Sequence, residues 1–179
     1  MNLHQRVPAA AGNVFDVAFP ATDGREYTLK SLTGEKGTVV VFTANGCPTA
    51  RAYEERLRAL ATDCGRKGIL LVAINSNNPY LSPPDTLPEM QKRSQERQFN
   101  YPYLKDPDSA LAQHFGAVCT PHAFLLDAEL EVVYSGRIDD SRLGDNVKAR
   151  DLETAIGALV DGQPVPAAET EPFGCSIVW

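Results

Sequence analysis

Short apolar runs without polar alternation stand out along the chain, separated by polar stretches with helical spacing. Val39–Phe42 (Val-Val-Val-Phe) and Ile69–Ile74 (Ile-Leu-Leu-Val-Ala-Ile) are unbroken. Such runs fit strands covered on both faces, and the helical stretch between these two predicts that they lie parallel. That stretch, Pro48 to Arg66, is ended by Gly65 or Gly68. Residues 14–19 and 25–29 flank Thr22-Asp23-Gly24, which predicts an N-terminal hairpin. Pro79, Pro83, Pro84 and Pro88 mark a loop, and a polar helix follows from Thr86 to Phe99. Another helix begins at Asp106, with Ala110, Leu111 and Phe115 on one side and Gly116 at its stop. Ala123–Leu126 and Glu131–Tyr134 read as strands around an Asp127-Ala128 turn, and Asp151–Val160 as a last helix. The order of elements predicts a single α/β domain over residues 1–179, a sandwich around a central mixed sheet. Residues 162–179 read as a C-terminal tail packing back on it, because Phe173-Gly174-Cys175-Ser176-Ile177-Val178-Trp179 is too apolar to float freely.

The chain has 179 residues, of which 43% are hydrophobic and 22% charged, which suits one domain with a substantial core. A formal net charge of -6 argues against a nucleic-acid partner. No run approaches the ~18 apolar residues of a membrane span. Met1–Arg6 lacks the apolar core of a signal peptide, so a cytoplasmic protein is expected.

Four cysteines are present, Cys47, Cys64, Cys119 and Cys175, and no two form a Cys-x-x-Cys pair. They are too sparse for a disulfide scaffold and poorly spaced for zinc. Cys47 is the exception to a bland reading. It follows the strand Val39–Phe42 and the link Thr43-Ala44-Asn45-Gly46, and it precedes Pro48, a residue favoured at the first helical position. A cysteine at that cap meets unpaired helix N–H groups, which stabilise a thiolate and give thiol pKa values of roughly 3.5–7.5. The plain alternative is a small buried apolar side chain. Cys64 lies about 25 Å along the same helix and reads as structural. Cys119-Thr120-Pro121-His122 precedes the strand Ala123–Leu126, and Pro121 marks the start of that strand. His114 and His122 have no second ligand at metal spacing, so no metal is expected. Arg51 reads as a solvated first-turn arginine, and Arg137, Asp139 and Asp140 as a structural cluster at a strand end.

A Cys-Pro helix cap after a strand, then a Thr-Pro before the next strand, resembles the thioredoxin fold, a three-layer sandwich. More narrowly, the chain resembles the peroxiredoxin-like proteins of the redoxin/AhpC-TSA superfamily. The resemblance rests on Phe42–Pro48, Ala73–Asn77, Tyr101–Asp106, Cys119-Thr120-Pro121, Gly136–Asp140 and the tail Gly174–Trp179. It implies a cis Pro121 whose loop faces the nucleophilic cysteine. It also implies Cys47 as the attacking sulfur and Cys119 near it. The departures are instructive. Ala50 stands where a thioredoxin has its second cysteine, and Val41 where thioredoxins often carry a buried acid. No proline precedes Thr43, which is four residues before Cys47, so the peroxiredoxin pattern Pro-x-x-x-Thr-x-x-Cys is not met.

The expected activity is thiol–disulfide exchange. Cys47 attacks a disulfide in a protein or a small molecule, and Cys119, Cys175 or an external thiol reductant releases the product. The tail is expected first as an apolar plug, with Trp179 in a surface groove and Cys175 as a rival resolver. Asn45 offers an amide to a sulfur or a substrate, or serves as a loop cap, and Thr120 offers backbone groups to an extended peptide. Pro48, Asn45, Thr120 and Pro121 are therefore the expected substrate-binding residues. No metal, flavin or nucleotide is required. The alternatives are a thiol-dependent peroxidase, in which Cys47 becomes a sulfenic acid, and a non-catalytic binding module that keeps the fold.

Overall fold

The computed structural model describes residues 12–179, so the expectation drawn from Met1–Arg6 lies outside the described residues. The chain opens with a 3-10 turn at Val14–Asp16 and then the strands β1 (Phe19–Pro20) and β2 (Glu26–Tyr27). The expected hairpin is present, but much shorter than 14–19 and 25–29. The Asn13 side chain accepts the Phe15 N–H and coils residues 14–16 into the turn. There follow β3 (Gly37–Phe42), α1 (Pro48–Ala52), α2 (Glu54–Arg66), β4 (Ile69–Asn75) and α3 (Leu87–Glu96). The second half holds β5 (Tyr103–Lys105), α4 (Ala110–Phe115), β6 (Cys119–Thr120), β7 (His122–Asp127), β8 (Val132–Gly136), α5 (Asp151–Val160) and β9 (Cys175–Ser176).

The central sheet has the order β5-β4-β3-β7-β8. β3 runs parallel to β4 and antiparallel to β7, so the sheet is mixed. The apolar runs lack alternation because both faces are covered. Val39, Val41, Leu71, Ala73 and Leu125 face a core completed by Leu57 and Leu60 of α2 and Leu152 and Ile156 of α5. Val40, Phe42, Val72, Ile74 and Phe124 face a second core with Phe19, Leu29 and Leu111. Each such side chain contributes about 1.5–3 kcal/mol by leaving water.

Two predicted helices differ in detail. The helix over Pro48–Arg66 is split at Tyr53, whose N–H bonds three residues back to the Ala50 oxygen at 3.0 Å. Nothing in local propensity breaks it there. The Tyr53 hydroxyl is held by Asp139 at 2.8 Å, and the Arg56 guanidinium lies 3.6 Å from its ring centre, so tertiary anchoring fixes the tightened turn. The helix expected from Asp106 starts only at Ala110, because Asp106 is buried as a capping acceptor for the Leu111 and Ala112 N–H groups. It stops as expected at Gly116, which takes the left-handed φ of 70°.

The tail runs back along the domain. Ser135 of β8 exchanges backbone hydrogen bonds with Ala168 and Thr170, and β9 then pairs antiparallel with β6. Ile177 is the tail residue that is buried, whereas Trp179 remains 55% exposed. The indole is therefore not the plug that the apolar pattern suggests. Among the described residues, no helix is long and apolar enough to cross a membrane.

Candidate active site

Cys47 leaves β3 through a loop that is pinned from the side. The Thr43 N–H bonds the Ile74 oxygen at 2.8 Å, and the Asn45 N–H bonds the Asp85 carboxylate at 2.7 Å. This places Cys47 as the N-cap of α1, in extended backbone, with Pro48 behind it. Because α1 ends at Ala52, the dipole of a long helix is not what reaches the sulfur. A first-turn amide does, since the Cys47 Sγ accepts the Ala50 N–H at 3.2 Å.

The Cys47 side chain is only 2% exposed, yet it is flanked by the exposed Gly46 and Pro48. Two sulfurs meet here. The Cys175 Sγ lies 2.7 Å from the Cys47 Sγ, and both thiols are free. The Thr120 carbonyl oxygen is 3.1 Å from the Cys47 Sγ and accepts its proton in the thiol form. The Thr120–Pro121 peptide bond is cis.

The two thiols differ in acidity. Burial pushes the Cys47 thiol up, but donors to its thiolate outweigh burial and hold its pKa below the ordinary cysteine value. The donors are the Cys175 thiol, the Thr120 hydroxyl and the Ala50 and Cys175 N–H groups. The Thr120 hydroxyl is buried without a hydrogen-bond partner beside the thiol, so it is free to turn toward a charged sulfur. Cys175 is shifted the opposite way, by burial and then by its bond to Cys47. The Thr49 N–H, also in the first turn of α1, partly opposes that rise.

Cys119, named from sequence as the first resolver, does not meet Cys47. It is buried, its Sγ faces the Pro121 oxygen at 3.8 Å, and burial raises its pKa to about 11. Neighbouring strand residues point to opposite faces, so with Thr120 turned to Cys47 its neighbour turns away. Of the two roles expected for Asn45, the loop role is the one seen. Its amide is engaged at both ends, donating to the Pro84 oxygen at 2.9 Å and accepting the Tyr103 hydroxyl at 2.9 Å. Those two bonds fix its side chain against the Pro84 loop and β5. The backbone groups of Thr120 are taken by β9, so the edge expected to hold a peptide carries the protein's own tail.

Two residues of the site lacked a sequence signal. Asp85 sits in the proline-rich stretch and is fully buried. Burial pushes its carboxyl up, but hydrogen bonds from Ser82, Asn77, Asn75 and Gly46 outweigh burial and hold it below the usual carboxylate value. Tyr53 ties the first turn behind Cys47 to Asp139. Asp139 and Arg137 serve as structural pairs, with Arg56 at 2.7 Å and Asp151 at 2.7 Å respectively. Arg51 is exposed, and Cys64 is buried at the far end of α2. Among the described residues, no group of three or more His, Cys, Asp or Glu is arranged to hold a metal ion.

Comparison with known proteins identifies the family. The sequence profile of the AhpC/TSA family matches residues 10–135. No curated protein matches the chain at a significant level. An uncharacterised conserved protein from Geobacillus kaustophilus is 34% identical, with 94% of this chain and 91% of that one covered and a TM-score of 0.86. A hypothetical protein from Sinorhizobium meliloti is also 34% identical, over 93% of this chain and 92% of its own, with a TM-score of 0.85. The bacterioferritin comigratory protein of Xanthomonas campestris is 18% identical over 83% of this chain and 90% of its own, and its TM-score of 0.59 marks a shared fold alone. Helix cap, cis-proline loop, mixed sheet and sequence match agree, and the chain belongs to the AhpC/TSA family of thioredoxin-fold redoxins.

Proposed function

We propose that the protein is a thiol–disulfide oxidoreductase in which Cys47 attacks and Cys175 resolves. The observation that carries this reading is the meeting of two free thiols at the head of α1, with their sulfurs 2.7 Å apart. The Cys47 thiolate attacks one sulfur of a substrate disulfide, in a protein or a small molecule. A Cys47–substrate bond forms, the substrate bond breaks, and the leaving sulfur takes up a proton. Cys47 then no longer carries charge, so the part of the Cys175 shift that came from Cys47 disappears. Cys175 loses its proton more easily at the moment it is needed, helped by the Thr49 N–H. Its thiolate attacks the Cys47 sulfur and releases the second substrate thiol. The products are a reduced substrate and a Cys47–Cys175 disulfide, and an external dithiol returns the two electrons. A disulfide bond is about 2.05 Å long, so closing it from the observed contact needs less than ~1 Å of motion.

The test is turnover of a fluorescence-quenched peptide disulfide with dithiothreitol as the reductant. Wild type turns over, Cys47→Ser does not, and Cys175→Ala accumulates a mixed disulfide that mass spectrometry maps to Cys47. Turnover that survives Cys47→Ser refutes the proposal.

A second reading has its own support. Alkyl peroxide reduction is reported for the Xanthomonas campestris protein, and this chain belongs to the AhpC/TSA family. Here the Cys47 thiolate attacks a peroxide oxygen, yielding a sulfenic acid and an alcohol, and Cys175 condenses with it to the same disulfide, releasing water. The missing proline ahead of Thr43 weighs against it. Peroxide consumption with a thiol reductant, far above that of small thiols and lost in Cys47→Ser, promotes this reading over the first.

A further inference from the structure

The two sulfurs belong to segments 128 residues apart in sequence, each with its own anchors. One buried side chain joins those anchors. Asp85 Oδ1 accepts the Asn45 N–H at 2.7 Å, the Gly46 N–H at 3.3 Å and Asn75 Nδ2 at 2.8 Å. Its Oδ2 accepts Asn77 Nδ2 at 3.0 Å and the Ser82 hydroxyl at 2.5 Å. The first two donors are the amides immediately ahead of Cys47. Asn77 leads to the tail. Its Oδ1 accepts the Val178 N–H at 2.9 Å, while the next amide, Asn78 N–H, bonds the Val178 oxygen at 2.7 Å. Val178, three residues beyond Cys175, is thus held by both of its backbone groups.

The tail is also fitted on the other side of Cys175. Gly174 has a φ of 150°, and a Cβ there would lie 2.0 Å from the Thr120 oxygen. Cys175 therefore sits between a glycine pressed onto the cis-proline loop and a valine clamped by Asn77 and Asn78. A wholly buried carboxylate gives up its hydration, which its bonds must replace. Here Lys105 Nζ bonds Asn75 Oδ1 and the Asn77 oxygen rather than the carboxylate. Five donors satisfy Asp85: two are amides of the loop that presents Cys47, and three come from the end of β4 and the loop after it, of which Asn77 also holds the tail.

We infer that Asp85 is a positioning residue for the thiol pair: one of its oxygens fixes the loop that presents Cys47, and the other holds Asn77 as a latch on the tail that presents Cys175. This inference rests on the resolving role proposed for Cys175. It predicts that the latch sets the effective concentration of Cys175 at Cys47, separately from the reactivity of Cys47 itself.

The test measures the Cys47–Cys175 disulfide in glutathione redox buffers by mass spectrometry. In parallel, the iodoacetamide rate at Cys47 is measured in a Cys175→Ser background. Asn77→Ala removes the latch, and the effective concentration should fall at least about tenfold, with the alkylation rate changed less than twofold. A chain ending at Ile177 removes the clamped residue, leaves Asp85 and its donors intact, and should give the same result. Asp85→Asn should lower both quantities, because it loosens both segments. The inference is overturned if Asn77→Ala and the shortened chain both keep the effective concentration within twofold of wild type. It is equally overturned if both slow Cys47 alkylation as much as they weaken the disulfide, since that would mark general loosening. A wild type that forms no Cys47–Cys175 disulfide in any buffer overturns the resolving role itself, and the latch with it.

Discussion

Cys47 and Cys64 stand at the two ends of one helical stretch, are equally shielded from water, and have opposite chemistry. Cys47 is 2% exposed and Cys64 0%. Burial pushes the Cys64 thiol up to about 12, with the Asp63 charge adding to the rise. The same burial acts on Cys47, yet its pKa falls below the ordinary value. The difference lies in donors. Cys47 meets a free first-turn amide, the Cys175 thiol and an unpartnered hydroxyl. Cys64 lies near the C-terminal end of α2, where the N–H groups are already spent on carbonyls one turn back. Depth in the fold does not make a cysteine inert; the absence of donors does.

That contrast can be broken most forcefully at Cys47 itself. Replacing it with serine should lower turnover of a peptide disulfide by roughly a thousandfold or more, because a hydroxyl forms no anion at neutral pH. Next comes Cys175→Ala, which removes the partner thiol. Turnover should fall about 10- to 100-fold as mixed disulfide accumulates, and the Cys47 pKa should rise, visible in the pH profile of alkylation.

A third experiment tests whether burial acts as claimed where no donor opposes it. His122 is buried, and burial lowers its pKa to about 4. Its Nδ1 accepts the Val118 N–H at 3.3 Å, which places the ring proton on Nε2, facing the Ser135 hydroxyl at 3.1 Å. Because the folded value lies below the unfolded one near 6.5, the unfolded chain binds the extra proton first between those values. Its contribution to stability is therefore fully present above pH 6.5 and is lost as pH falls toward 4. Urea midpoints at pH 7 and pH 5 should show about 2 kcal/mol more acid loss in wild type than in His122→Phe.

Cys64→Ser should cost about 1–2 kcal/mol of stability in the same assay and leave turnover per folded molecule unchanged, since it places a hydroxyl in an apolar core. The smallest effect is expected at Cys119, where Cys119→Ala should keep turnover within twofold of wild type. A larger loss would return that thiol to the reaction.

The sheet was legible because its strands are continuous apolar runs, and Val39–Phe42 announces two covered faces with no help from its neighbours in space. The cap at Cys47-Pro48 was legible for a related reason: strand end, cysteine and proline are adjacent in sequence. What escaped depends on contacts the sequence does not encode locally. β6 and β9 are two residues each and exist only because they pair. β5 is three residues long behind Pro102. Asp85 is one acid among prolines, and its role follows from donors up to 40 residues away. Cys119 attracted notice by lying two residues before Pro121, but strand alternation turns it from the site that Cys175 reaches from the tail.

The central claim is that donors at the head of α1 hold the Cys47 thiol below the ordinary cysteine pKa despite its burial. The direct measurement is the rate of iodoacetamide capture at Cys47 across pH, followed by mass spectrometry in the wild-type protein. The account predicts an inflection clearly below the value of about 8.5 for a free cysteine. An inflection at or above that value would contradict it.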